Sequence, residues 1–595
     1  MHSLIVHQHL YQPPREDPWL EAVPTEPSAA PEHDWNARIN RECYARLARA
    51  EAYHRDPRAA AHDSEARAGV SRVVNLYAWC SFDVGATLCE WLDHAAPDTL
   101  RAMQEGDAAS VKRWGHGNAI AAPYHHVILP LASPRERRTE IRWGLRDFRR
   151  RFGRDAEGIW LPECAADDDT LDAVAAEGVR FTILAPYQVH GHEGSGMPLL
   201  WRGAAGRTLT IVPYDGSLAG DVAFGGLLSN PQALAQRFTP YRETVLHSPR
   251  CTTLATDGET FGHHHKGGDR SLLEALALIA HHSSTRITNA AALVSTHPAT
   301  HEVTLVSPSA WSCAHGVERW RSNCGCRLDG GKPARQQWRG PLRVALERLA
   351  AQAHEVYERE GTTIFRNDPW AVRDAYGDVV ALDGEALAVF ARNVVVDATN
   401  DAQVQRAREL LELQRATLRL FTSCAWFFDE VDRIEVRQVL RYAARCLELS
   451  GTGSRLTPEV VQWLSAANDG QPGAATASDV FVRDALPHRD QALCVAAAAM
   501  ACAAGGAPAA RLATFDIETE GTMSEWQVAV THRRTGVASR FSGMVHGHGA
   551  SLTVRLHNAQ HGDGAWEVVH PHEFPEEAAR ALLAHHATED AALLG

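Results

Sequence analysis

Short apolar runs alternate with longer amphipathic stretches through the first 300 residues. Leu4-Ile5-Val6, Gly158-Ile159-Trp160-Leu161, Phe181-Thr182-Ile183-Leu184, Leu209-Thr210-Ile211-Val212 and Thr252-Thr253-Leu254-Ala255 read as buried strands. Arg135 to Phe152 and Asp169 to Gly178 carry apolar residues at helical spacing, the second ending on a glycine stop. Strand, helix, strand in repetition predicts parallel β/α units, hence an α/β fold. Polar residues follow the strands: His7 and His9, then Pro162 and Glu163, then Pro186, Tyr187 and Gln188, then Tyr214 and Asp215, then Asp257 and Glu259. Parallel α/β barrels place their chemistry on that C-terminal face.

Beyond this region the period changes. Ala334 to Gly361 and Ala402 to Ser450 are helical, with Leu410, Leu413, Leu418 and Phe421 forming a broad stripe and Gly451 a stop. Asn468-Asp469-Gly470-Gln471-Pro472-Gly473 reads as a linker. Leu512 to Asn558 alternates as strands do, clearest in Trp526-Gln527-Val528-Ala529-Val530. The predicted organisation is a catalytic barrel at 1–300, a helical domain at 301–467 and a small β-rich unit at 474–595.

Composition adds exclusions. A 595-residue chain is too long for a single core. A formal net charge of -14 argues against a nucleic-acid partner, because phosphate binding needs a basic surface. No apolar run is long enough to span a membrane, and no basic segment followed by an apolar stretch opens the chain as a signal peptide would. Twelve cysteines scattered over this length predict a reducing cytoplasm rather than a disulfide framework.

Two apolar runs end in carboxylates, at Glu163 and at Asp257-Gly258-Glu259. Glycosidic bond cleavage needs two such groups, one to attack and one to handle the proton. Asp257 and Glu259, two residues apart, would share one face of a strand, with Gly258 admitting a close neighbour. Pro162 sets the chain direction ahead of Glu163, and Trp160 could stack on a sugar ring. Asp167 to Asp169 read as a helix N-cap cluster. His7-Gln8-His9 and the His263-His264-His265 run suit either sugar hydroxyls or a metal. Cys313, Cys324 and Cys326 with His315 nearby resemble a zinc ligand set, but the spacing is irregular and lacks a paired CxxC, so apolar packing of the thiols is the simpler account. Trp426-Phe427-Phe428 reads as helix core or as the wall of a groove.

Taken together, these residues resemble glycoside hydrolase family 57, retaining enzymes acting mainly on α-glucans. The family's His-x-His-Gln-Pro opening is similar to His7-Gln8-His9-Leu10-Tyr11-Gln12-Pro13, where two residues separate the second His from Gln-Pro. Trp160-Leu161-Pro162-Glu163 looks like its nucleophile segment, and Asp257-Gly258-Glu259-Thr260-Phe261-Gly262 matches its Asp-x-Glu-x-x-Gly acid/base segment. Gly115-His116-Gly117, with Tyr124-His125-His126, is similar to a segment beside the bound sugar. A subgroup with an uncharacterised helical domain is closer still, through His33-Asp34-Trp35-Asn36, Trp311 to Trp320 and Thr422 to Asp429.

The resemblance implies an incomplete (β/α)7 barrel, an oligo- or polysaccharide substrate, Glu163 as nucleophile and Asp257 as acid/base, facing each other at roughly 5–5.5 Å. It implies substrate contacts from His7, His9, His116, Trp160, Tyr214, Asp215, Glu259, His264, Trp311 and Trp426, and no metal or cofactor. Two other readings stay open. One is a metal-dependent deacetylase or mannosidase with His7 or His9 and Asp257 on zinc; the other is a glucan-binding protein without turnover.

Overall fold

A nine-residue strand, β1 (His2–Leu10), lies at the centre of the N-terminal architecture with every residue buried. It pairs in parallel with β2 (Ser81–Val84) on one side and with β7 (Arg250–Asp257) on the other. The computed structural model describes residues 2–53, 70–192, 194–239, 248–282, 284–327, 335–470, 473–487, 489–522, 525–547, 551–560, 565–580 and 582. Linker residues 471 and 472 lie outside these.

Beyond β2 comes β3 (Ala119–Ile120), and a parallel bridge from Ala121 to Ile159 carries the order on to β4 (Gly158–Ile159). β5 (Phe181–Leu184) and β6 (Thr208–Pro213) follow, again in parallel. The far edge of β6 pairs antiparallel with Leu199–Arg202. That edge is thereby occupied, and β6 meets β7 through the hydrogen bond from Asp215 N to Thr253 O at 2.7 Å. The result, among the described residues, is an α/β barrel of seven parallel strands in sequence around it, left incomplete between β6 and β7, with the two-residue strand Arg286–Ile287 also parallel to β1 at Ser3 and Leu4.

The five strands read from apolar runs all stand where the pattern put them. β2 and β3 escaped it for a physical reason. β2 is Ser-Phe-Asp-Val, and both Ser81 and Asp83 are buried inside the barrel, so no continuous apolar run marks the strand. The helix Pro134–Phe152 begins with a capping box between Ser133 and Glu136 and ends on Gly153 in the left-handed region.

The chain forms two compact units. The first comprises Met1–Pro14, Glu26–Ala334 and Phe421–Phe428; the second comprises Arg15–Thr25, Arg335–Leu420 and Asp429–Gly595. In the second unit, helices Arg339–Ile364, Asp401–Arg419 and Ile434–Leu449 pack together. The continuous helical pattern expected from 402 to 450 is thus interrupted, and the interruption, Phe421–Phe428, belongs to the barrel unit. Six antiparallel strands between Arg511 and Val569 form a meander. The Ala-rich helix Gln491–Ala504 covers it, its small side chains buried against Val528, Val530 and Phe541. No helix among the described residues is long and apolar enough to cross a membrane.

Candidate active site

Register assembles the first half of the cleft. β1 sets His7 opposite Ser81 and His9 opposite Asp83 on β2, while His9 also stands opposite Asp257 on β7. Side chains two apart on a strand share a face, so His7 and His9 both meet Asp83. His7 Nε2 lies 3.2 Å from Asp83 Oδ1, and His9 Nδ1 lies 2.8 Å from Asp83 Oδ2. His9 Nε2 then reaches His126 Nε2 at 3.1 Å, and His126 Nδ1 reaches Ser423 Oγ at 2.7 Å.

The protons in this chain follow from the charges. Burial opposes a charge on His9, but Asp83, with Asp257 and Glu259 beyond it, raises its pKa to about 9. Burial and the neighbouring His9 hold His126 well below the usual range. His9 is therefore the imidazolium, donating to Asp83 and to the neutral His126, which donates onward to Ser423. Burial would raise Asp83, yet His9 and His7 hold it below its ordinary value.

Breaking this pair has a definite cost. Asp83→Ala leaves a buried positive charge unpaired and is expected to destabilise the protein by about 3–5 kcal/mol, read as a lower urea midpoint. The pH dependence has a sign. His9 binds its proton more tightly when folded, so its contribution is fully present below about pH 6.5 and is lost as pH rises through about 9. Asp83→Asn should remove that loss; urea midpoints falling equally in both proteins across this range would contradict the pairing.

The second half of the cleft is Glu163, just past β4. Leu161 is extended ahead of Pro162, as the residue before a proline is biased to be. Glu163 and Cys164 then sit in the left-handed region at φ 58° and 48°, and His126 at 56°. Such conformations cost non-glycine residues on the order of 1–3 kcal/mol and gather at functional sites. Glu163 Oε2 accepts from Trp311 Nε1 at 2.9 Å and from Ser312 Oγ at 2.6 Å, and the Glu163 carbonyl accepts from Trp311 N at 2.9 Å.

Asp257 ends β7, and Glu259 lies on the 3-10 turn Gly258–Phe261 that follows. The shared strand face expected for the two acids is therefore replaced by a turn, yet both reach the cleft. A Cβ at Gly258 would stand 2.1 Å from Leu10 Cδ2, so any side chain there would have to displace that buried leucine. Glu259 Oε1 accepts from the Tyr44 hydroxyl and from Gln12 Nε2 at 3.2 Å. Both acids keep some contact with solvent while lying deep in the protein. Burial, then the charge of Glu259, pushes Asp257 up to about 7, with Glu163 and Asp83 adding to the rise against His9. Burial raises Glu259 as well.

Several predicted contacts are placed elsewhere. Trp160 is fully buried and stacks under His7 and His9 at 5.0 and 5.1 Å between ring centroids, so it supports the imidazoles and offers no face to a ligand. His116 precedes β3, at the opposite end from the acids, and pairs with Glu157 at 2.9 Å. Asp215 caps the helix Gly216–Ala223 by accepting from Leu218 N at 3.0 Å. His264 is exposed, its ring 5.3 Å from that of His263. Trp426 is fully buried in the turn Ser423–Trp426. Tyr214 does reach the cleft: it bonds Tyr187, whose hydroxyl donates to Trp311 O at 3.1 Å. Trp311 is half-buried and crosses Trp160 edge-on at 5.0 Å. Asp167 is the N-cap of the helix Asp168–Ala176.

Five residues of the cleft were not singled out as site residues by the sequence: Asp83, His126, Tyr44, Ser312 and Ser423. His126 carried a signal, being one of the clustered histidines. Ser312 directly follows Trp311 in a segment already noticed.

Residues 3–302 match the profile of Glycosyl hydrolase family 57, and residues 335–551 match that of a domain of unknown function, DUF3536. A 4-alpha-glucanotransferase from Thermococcus litoralis is 24% identical over 180 residues, covering 29% of this chain and 25% of that protein. An alpha-amylase from Pyrococcus abyssi is 25% identical over 138 residues, covering 23% of this chain and 20% of that one. The chain thus aligns with a quarter or less of the length of these curated relatives. The crystal structure of an exo-type maltose-forming amylase from Pyrococcus sp. ST04 superposes with a TM-score of 0.58 at 12% identity, over 78% of this chain and 82% of that one, and shares its fold. With the family profile matched across the whole barrel that carries the cleft, the chain belongs to glycosyl hydrolase family 57.

Proposed function

We propose that the barrel is a retaining glycoside hydrolase or glucanotransferase acting on an α-linked glucan. The observation that carries this reading is the division of labour between two acids. Glu163 has one oxygen fixed by two donors, while Asp257 is held near pH 7, where it can still carry a proton.

In this mechanism the free oxygen of Glu163, Oε1, attacks the anomeric carbon as Asp257 protonates the departing glycosidic oxygen. A β-linked glycosyl-enzyme results. Asp257, now ionised, takes a proton from water or from a sugar hydroxyl, which attacks from the opposite face and restores the α configuration. Hydrolysis or transfer follows from which acceptor enters. His9, charged and beside Asp257 in register, would donate to sugar hydroxyls near the cleaved bond only by exchanging its bond to His126. His126, Trp311 and Tyr214 line the remaining wall.

The relatives' names, a glucanotransferase and amylases, agree with an α-glucan substrate. The zinc reading asks His7 or His9 to ligate beside Asp257. The partners of their four ring nitrogens are Ser81, Asp83 and His126 rather than Asp257, so the geometry that reading asks for is not the one these rings make.

Incubation with maltooligosaccharides, followed by proton NMR of the first product anomer, tests the proposal. The α anomer should appear first and mutarotate later. First appearance of the β anomer would exclude the covalent intermediate, and longer as well as shorter chains would identify transfer.

A further inference from the structure

We propose that Cys313, His315, Cys324 and Cys326 bind a structural zinc ion that fastens the loop carrying Trp311 and Ser312. In sequence these residues fit either a zinc ligand set of irregular spacing or thiols packed as small apolar groups. The structure gathers them: one ligand atom from each of the four lies within 4.8 Å of all the others.

The separations approach those of four atoms around one ion. Zinc binds sulfur at about 2.3 Å and imidazole nitrogen at about 2.0–2.1 Å, so tetrahedral ligands stand roughly 3.5–3.8 Å apart. Cys313 Sγ lies 4.0 Å from Cys324 Sγ, and Cys326 Sγ lies 3.4 Å from His315 Nδ1. All four groups are supplied by the chain, a closed set of the Cys3His type, which marks a structural rather than a catalytic zinc site. Three soft thiolates with one imidazole favour zinc over magnesium or calcium.

Local backbone supports the arrangement. Gly325, between Cys324 and Cys326, has φ +81°, a conformation that brings both thiols toward one point and that glycine adopts freely. Cys326 N donates to Cys324 Sγ at 3.4 Å. On binding, the three thiols release their protons to solvent as thiolates.

The loop has need of a fastening. Between Trp311 and Arg327 the regular structure is one short 3-10 turn, Glu318–Trp320. The loop's first two residues, Trp311 and Ser312, are the donors to Glu163 Oε2. A cation holding Cys313 fixes the position directly after Ser312. The inference concerns metal binding and stands independently of the proposed glycosidase chemistry.

Elemental analysis of the full-length protein, purified under reducing conditions without chelator, should find about one zinc per chain. Chelator-stripped protein should take up one equivalent from zinc chloride. Cobalt in place of zinc should give the near-ultraviolet thiolate-to-metal band and intense visible bands of a tetrahedral site. Cys324→Ser with Cys326→Ser should lose the metal. His315→Cys, which keeps four ligands, should retain it, so loss of binding is separable from misfolding. Reduced stripped protein that takes up no zinc, or a double variant that still holds a full equivalent, would overturn the site.

Discussion

Glu163→Ala should reduce turnover of maltooligosaccharides by roughly 10⁵–10⁶-fold, the scale on which removing the nucleophile acts in other covalent hydrolases. The side chain makes two side-chain hydrogen bonds, to Trp311 and Ser312, and its backbone bond to Trp311 survives the change. The left-handed backbone at φ 58° is equally costly to alanine, so the thermal midpoint should move little. Azide then distinguishes a missing nucleophile from a damaged fold. Given an activated donor such as α-maltosyl fluoride, azide entering the space vacated by the carboxylate attacks the anomeric carbon directly. It should yield the β-glycosyl azide and restore part of the rate. A variant with unchanged turnover removes Glu163 from the mechanism. So does an α-glycosyl azide, because that product requires a covalent intermediate still to form.

The strand ends were legible because burial and chemistry leave the same mark there. An apolar run that stops at a carboxylate describes both a buried strand and an acid delivered to its end, as at Ile159 to Glu163 and Leu254 to Asp257. Asp83 was illegible for the opposite reason. It sits inside a strand and its burial is offset by His7 and His9, partners 76 and 74 residues away in sequence. No local pattern encodes such an offset. Ser423 is further removed, 297 residues from His126, in a segment whose flanks are helical and whose own contacts belong to the barrel unit.

Trp160 shows how proximity misleads. An indole three residues before an acid suggested sugar stacking, but β4 turns at Pro162, and the ring ends under His7 and His9 rather than beside the acid. His116 fails by direction: it precedes its strand, and in a parallel barrel that is the face away from the C-terminal ends. The cysteine cluster is ambiguous in sequence because spacing rules describe common zinc loops. Cys-x-His and Cys-x-Cys brought together by an intervening turn satisfy the same geometry without the same spacing.

The second large effect concerns the proton donor. Asp257 sits at about 7 because burial and the Glu259 charge both disfavour its ionised form. A group with a raised pKa carries its proton below that value and loses it above. The kcat/KM of the wild-type protein should therefore decline as pH rises through about 7. Asp257→Asn should lower kcat/KM on unactivated glucans by about 10²–10⁴-fold and abolish that basic limb. The loss should shrink with a fluoride leaving group, which needs no proton. In Asp257→Ala, azide should intercept the glycosyl-enzyme and give the α-glycosyl azide, opposite in configuration to the product from Glu163→Ala. Glu259→Gln offers the finer measurement. It removes the charge next in importance to burial while keeping an acceptor for Tyr44 and Gln12, so the basic limb should move to lower pH with the mechanism intact. A basic limb that persists unmoved in Asp257→Asn would assign the titration to another group and take the proton-donor role away from Asp257.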